Sequence, residues 1–134
     1  MSTVVFDTGA LTAFAGNHVL RAAVELLLDE GWDVHVPAVT LAECLTGRPR
    51  DDVVTHRTLG RFGTVVTSQS TAHYAGLMRG RLTGKRRSLP RGIDAIVAAH
   101  AALASGKTVV FTTAAPHLTA LLEEHRDVAV CRVP

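Results

Sequence analysis

Short apolar runs rich in β-branched residues alternate along the chain with longer segments whose apolar positions recur at helical spacing, and that alternation leaves few folds open. Thr3 to Phe6, Val34 to Val36, Thr64 to Thr67, Thr108 to Thr112 and Val128 to Cys131 read as strands. Val19, Leu20, Ala23, Val24, Leu27 and Leu28 repeat at helical spacing and stop at Gly31, which predicts a helix laying one apolar stripe on the sheet. Further helices are predicted at Ala38 to Thr46, Asp51 to Arg61, Ser70 to Leu82, Ile93 to Ala104 and His117 to Glu124, with a loop from Gly84 to Pro90. This repetition predicts one doubly wound domain over residues 1–134, a three-layer α/β/α sandwich with a central, mainly parallel sheet. In such folds ligands bind outside the carboxyl ends of the strands.

A chain of 134 residues is too short for two independent cores, and 47% hydrophobic against 19% charged residues is ample material for one. Aromatics are only 4%, which leaves Ala, Val and Leu to build the core and argues against a base-stacking platform. The net charge of +2 does not diagnose a nucleic-acid binder. Its distribution says more: Arg79, Arg81, Lys85, Arg86, Arg87 and Arg91 place six cations and no acid within thirteen residues. Such a segment is either a solvated face or a guide for RNA phosphates.

Cys44 and Cys131 form no CxxC or Cys/His cluster and read as small core residues in a reducing compartment. No basic leader precedes Asp7 and no run of eighteen apolar residues follows, so the expectation is a cytoplasmic protein with no membrane segment. The seven histidines are scattered, and His100 shares a helical face with Ile93, Ile96 and Val97, which fits a hydrogen-bonded core or interface residue.

Three acids carry the chemistry. Asp7 follows Val4, Val5 and Phe6, where a strand end aims it into the ligand crevice, although an N-cap for a helix starting near Gly9 accounts for it equally. Glu43 interrupts the apolar stretch VPAVTLAECL, in which Val39, Ala42 and Thr46 face the core; it needs a partner, and Thr40-x-x-Glu43 also matches a capping box. Asp94 opens the helix IDAIVAAHAAL, where the helix dipole alone favours a carboxylate by roughly 0.3 to 1 kcal/mol. If two such carboxylates approach to about 5 Å, they repel by roughly 3 kcal/mol at an effective dielectric of 20, so a positive charge belongs between them. Hard oxygen donors with no His or Cys at ligand spacing select Mg²⁺ or Mn²⁺, and that combination suits phosphodiester hydrolysis by an activated water.

The segments VVFDTGAL, VPAVTLAECL, RGIDAIVAAHAAL and TVVFTTAAPHL resemble, in order and spacing, the successive motifs of PIN domains, with the small VapC-type toxin ribonucleases as the nearest subgroup. The resemblance implies a PIN-like sandwich in which Asp7, Glu43 and Asp94 hold Mg²⁺ or Mn²⁺, Thr8 and Thr112 lie beside the metal pocket, and Thr112 fixes a ligand water or phosphate oxygen. It further implies an endoribonuclease silenced by a cognate VapB-type antitoxin, and a homodimer. One position departs: Ala114 stands where the family commonly carries a fourth Asp, which favours one-metal catalysis. His117 is a partial substitute or simply a helix-start histidine. The alternative is a PIN-fold module that binds RNA or antitoxin without turnover.

Overall fold

Alternation of side chains along the central strand β1 (Thr3–Phe6) divides the interior in two, with Val4 and Phe6 entering one core and Val5 the other. The structure, a computed structural model, describes residues 1–85 and 88–134. Among these residues the sheet has four strands in the order β2 (Asp33–His35), β1, β3 (Thr108–Thr112), β4 (Val128–Arg132), and all neighbours are parallel. The register sets Val4 beside Val34, Val5 beside Val110 and Phe111 beside Cys131. The expected α/β/α sandwich is therefore present, with a wholly parallel sheet.

One face is covered by α1 (Thr8–Ala13), α2 (His18–Asp29), the short α3 (Leu41–Cys44) and α4 (Pro49–Phe62). The other is covered by α5 (Gln69–Gly80), α6 (Gly92–Leu103) and α7 (Ala115–Leu121). The second core is the small-residue packing that the composition implies, built from Ala95, Val97, Ala98, Ala99 and Ala101 of α6 against Val5 and Val110. The first differs. Phe6, Phe14, Phe62 and Phe111 gather in it with ring centroids 5.2 to 6.4 Å apart, mostly tilted or edge-on, so the few aromatics are concentrated in one layer.

Two expected elements take another form. Thr64 to Thr67 is no strand: Val65 makes a single bridge to Pro37, with Val65 N–H to Val36 O and Ala38 N–H to Val65 O both 2.8 Å. Val66 then turns to solvent, and Ser68 already caps α5 by accepting from the Thr71 N–H. The predicted helix from Ala38 to Thr46 splits into a 3₁₀ turn at Ala38–Thr40 and the one-turn α3, after which Leu45 is extended. The change of pitch rotates the buried face, so Thr40 is interior while Ala42 and Thr46 are exposed and Val39 half-buried. The other helices and strands lie within a few residues of expectation. His100 Nε2 shares a 2.8 Å hydrogen bond with Thr67 Oγ1, and both cysteines are free and half-buried. Among the described residues no single helix is long and apolar enough to cross a membrane.

The connection from Leu45 to Arg48 is fixed by Asp52, a role the sequence does not advertise. Its carboxylate accepts from the Thr46 N–H, the Thr46 hydroxyl and the Gly47 N–H, each at 2.9 Å. These donors, the Thr46 N–H foremost, hold Asp52 below its ordinary value of 3.8. A depressed folded-state value adds stability that is present above 3.8 and is lost as pH falls through the folded value. Asp52→Ala should therefore flatten the acid limb of the stability curve, measured by chemical denaturation between pH 2 and 6; an unchanged limb would exclude this role.

Candidate active site

The sheet order makes one place special. From β1 the chain crosses to β2 on one side, whereas β3 pairs with β1 on the other, so the crevice between the carboxyl ends of β1 and β3 is the topological switch point. Asp7 stands there, its N–H donating to Phe111 O at 3.2 Å. The N-cap reading of Asp7 holds, and its second oxygen has partners of its own. Its Oδ1 caps α1 by accepting from the Ala10 N–H at 2.8 Å, while its Oδ2 accepts from the Thr112 hydroxyl and from the Thr113 N–H at 3.2 Å. Thr112 Oγ1 in turn accepts from the Ala114 N–H at 2.8 Å, which commits its own proton to Asp7. Burial pushes the Asp7 carboxyl above its ordinary value; the three donors offset part of this, and the nearby Asp94 charge adds to it.

The approach of α1 to this turn depends on Gly9. A Cβ at that position would lie 2.0 Å from Thr113 Oγ1, so a larger residue would push apart the two segments that hold Asp7.

Glu43 reaches the site from α3. Its Oε1 accepts from the Thr8 hydroxyl at 2.7 Å and its Oε2 from Arg91 Nη1. The expected capping box does not form, because Thr40 is itself helical in conformation and its buried hydroxyl donates to Pro37 O instead. Asp94, in the first turn of α6, is almost fully buried. Its Oδ1 is 3.6 Å from Arg91 Nη2 and its Oδ2 is 3.4 Å from His117 Nδ1. Arg91 thus bridges Glu43 and Asp94, and Asp94 with Glu43 holds the guanidinium more firmly charged than usual. Among the described residues no three His, Cys, Asp or Glu side chains form a ready-made metal-ligand group; the positive charge between the acids is Arg91.

Arg91 accordingly belongs to the acid site rather than to a free basic strip. Arg79 Nε donates to Pro90 O at 2.7 Å, and Arg81 pairs with Glu124 at 3.3 Å while lying over the Tyr74 ring. Lys85 lines a recess with Arg81, Glu123 and Glu124, so acids remote in sequence face this segment. Arg86 and Arg87 lie outside the described residues. On the other flank, an open depression of about 820 Å³ runs from Thr113 past Thr119 to Arg132, a cation that no sequence motif singles out.

A PIN domain family model matches residues 4–114, a span that contains Asp7, Glu43, Asp94 and Thr112. This chain belongs to the PIN domain family. No curated protein gives a significant match. Similar solved structures include VapBC2 from Rickettsia felis bound to a DNA fragment from its promoter, with TM-score 0.75 and 14% identity over 98% of this chain and 99% of that one. DNA-bound VapBC from Salmonella typhimurium has TM-score 0.72 and 17% identity over 100% of both chains. FitAcB from Neisseria gonorrhoeae has TM-score 0.69 and 22% identity over 95% of each.

In this PIN domain the bridge by Arg91 sets a measurable balance. Arg91→Gln should leave Glu43 and Asp94 without their shared cation and lower stability by about 1 kcal/mol, the upper range for a solvent-screened pair. Urea denaturation at low salt should show the loss, and 1 M salt should shrink it. Equal stability of the two proteins at low salt would contradict the bridge.

Proposed function

We propose that this PIN domain is a divalent-metal-dependent endoribonuclease, the VapC-type toxin of a toxin–antitoxin pair. The observation that carries the reading is the Arg91 bridge between Glu43 and Asp94, with Asp7 held by Thr112 at the switch point and feeling the Asp94 charge. Donor chemistry supports a hard cation. Carboxylate and hydroxyl oxygens are the donors that hard cations take, and such an ion would require Arg91 to leave Glu43 and Asp94. Arg91 is well exposed on a flexible stem.

Asp7, Glu43 and Asp94 would hold Mg²⁺ or Mn²⁺, which when bound supplies a lowered water pKa and charge neutralisation at the phosphate. The chain's own residues do the rest. Thr112 orients the Asp7 carboxylate through its committed proton, and Thr8 does the same for Glu43. Asp94, in a nearly dry position, strengthens every electrostatic contact made there. Arg91, once released from the acids, is placed to pair with the scissile phosphate. The depression from Thr113 to Arg132 offers hydroxyls and a cation to the flanking RNA backbone, and Arg79, Arg81, Lys85, Arg86 and Arg87 contribute long-range attraction that weakens with salt.

A VapB-type antitoxin partner, a homodimer and a cytoplasmic setting belong to the same proposal and rest on the likeness to VapC toxins. A specific observation favours a second reading. Ala114 offers no donor, and Arg91 already satisfies two of the acids, as would suit a module that binds RNA or antitoxin without turnover. Metal-titrated cleavage of structured RNA separates the two. The nuclease reading expects cleavage that a chelator abolishes, and loss of about 100-fold or more in Asp7→Asn, Glu43→Gln or Asp94→Asn proteins that still unfold cooperatively. Full activity in Asp94→Asn, or no cleavage by the wild type with any divalent ion, would sink it.

A further inference from the structure

β3 and β4 run in register to their ends, where Thr112 pairs with Arg132. Val110 of β3 and Val128 and Val130 of β4 pack on the core under α5, α6 and α7, so alternation sends Thr112 and Arg132 out on that same face. Thr112 donates to Asp7, which puts the Arg132 backbone one strand spacing, about 4.8 Å, from a residue of the candidate active site. The open depression of about 820 Å³ begins at Thr113, whose N–H also donates to Asp7, and ends at Arg132. The cations nearby are not equally free. Arg91 is shared by Glu43 and Asp94 and Arg81 is paired with Glu124, whereas the exposed Arg132 makes no ion pair among the described residues.

We infer that this depression seats one unpaired nucleotide of the RNA, next to the phosphodiester that is cleaved, and that Arg132 anchors its phosphate. This rests on the RNA-cleaving reading above and adds a substrate class to it, single-stranded RNA. A volume of about 820 Å³ lies within the range of about 300 to 1,000 Å³ that small-molecule sites take, which suits a nucleotide and excludes a duplex. Base edges in paired A-form RNA are out of reach of side chains, whereas an unpaired base splays out onto the protein. Ala115 and Pro116 offer that base an apolar wall, and Thr113 and Thr119 offer hydroxyls to the ribose and phosphate. The Arg132 guanidinium matches phosphate oxygens two at a time. Glu123, on the same lining, repels phosphate and so sets the polarity, with the phosphate at Arg132 and the base toward Glu123.

The test is fluorescence anisotropy of the full chain with a labelled single-stranded RNA decamer and with the same decamer annealed to its complement, in chelator so that nothing is cleaved, over a series of salt concentrations. The wild type should bind the single strand about tenfold more tightly than the duplex. Arg132→Gln should weaken single-strand binding about fivefold and lower its salt slope by about 0.7, the share of one phosphate contact, and Arg132→Lys should restore the slope. Glu123→Gln should tighten binding about twofold. Arg126→Gln, which removes an equal charge outside the depression, should leave the affinity within about twofold of the wild type. Arg132→Gln indistinguishable from Arg126→Gln, or a duplex bound as tightly as the single strand, would overturn the inference and leave the RNA-cleaving reading standing. A wild type that binds neither RNA, in chelator or with Mg²⁺, would overturn both.

Discussion

Carboxylates brought together from separate parts of a chain repel, and the structure around them is the answer to that repulsion. Two such groups at about 5 Å cost roughly 3 kcal/mol at an effective dielectric of 20, more than any single helix cap returns. The fold meets the cost in three ways. Asp7 is held by two backbone N–H groups and a threonine hydroxyl, Glu43 by Thr8 and Arg91, and Asp94 by Arg91 with His117 alongside. The carboxyl edge of the sheet, where β1 and β3 end side by side, sets Asp7 against Thr112 and Thr113.

That frame is least comfortable at Asp7. Burial raises its folded value, so its contribution to stability is full below 3.8 and is lost as pH rises through that raised value. Asp52 behaves in the opposite sense, because its donors depress its value. The contrast separates an acid whose donors outweigh its burial from one whose burial outweighs its donors.

Much of the fold is legible in the sequence. β1 and β3 are β-branched runs with clear boundaries, and α2 carries a single apolar stripe, so local pattern and tertiary role agree. Asp7 and Asp94 were readable because a strand end and a helix start each fix a side-chain direction. Where pattern and packing part, the sequence misleads. Thr64 to Thr67 has strand composition but pairs only through the single bridge at Val65, and Ala38 to Thr46 changes pitch at a buried threonine that no periodicity reveals. The basic segment looked uncompensated because its partners, Glu43 and Glu124, lie more than forty residues away in sequence. For the same reason the sequence leaves the partner of Glu43 open between a distant group and a Thr40 capping box, and the structure supplies Thr8 and Arg91. The contact of His117 with Asp94 is not visible in the sequence because it arises only when α6 and α7 pack together.

The most direct measurement is a crystal structure of the Mn²⁺-soaked protein with anomalous scattering collected at the manganese edge. The account predicts one strong peak within coordination distance of carboxylate oxygens from Asp7, Glu43 and Asp94, with the Arg91 guanidinium swung away from both acids it now joins. A peak elsewhere, or a guanidinium still bridging Glu43 and Asp94 with no ion beside them, would contradict it.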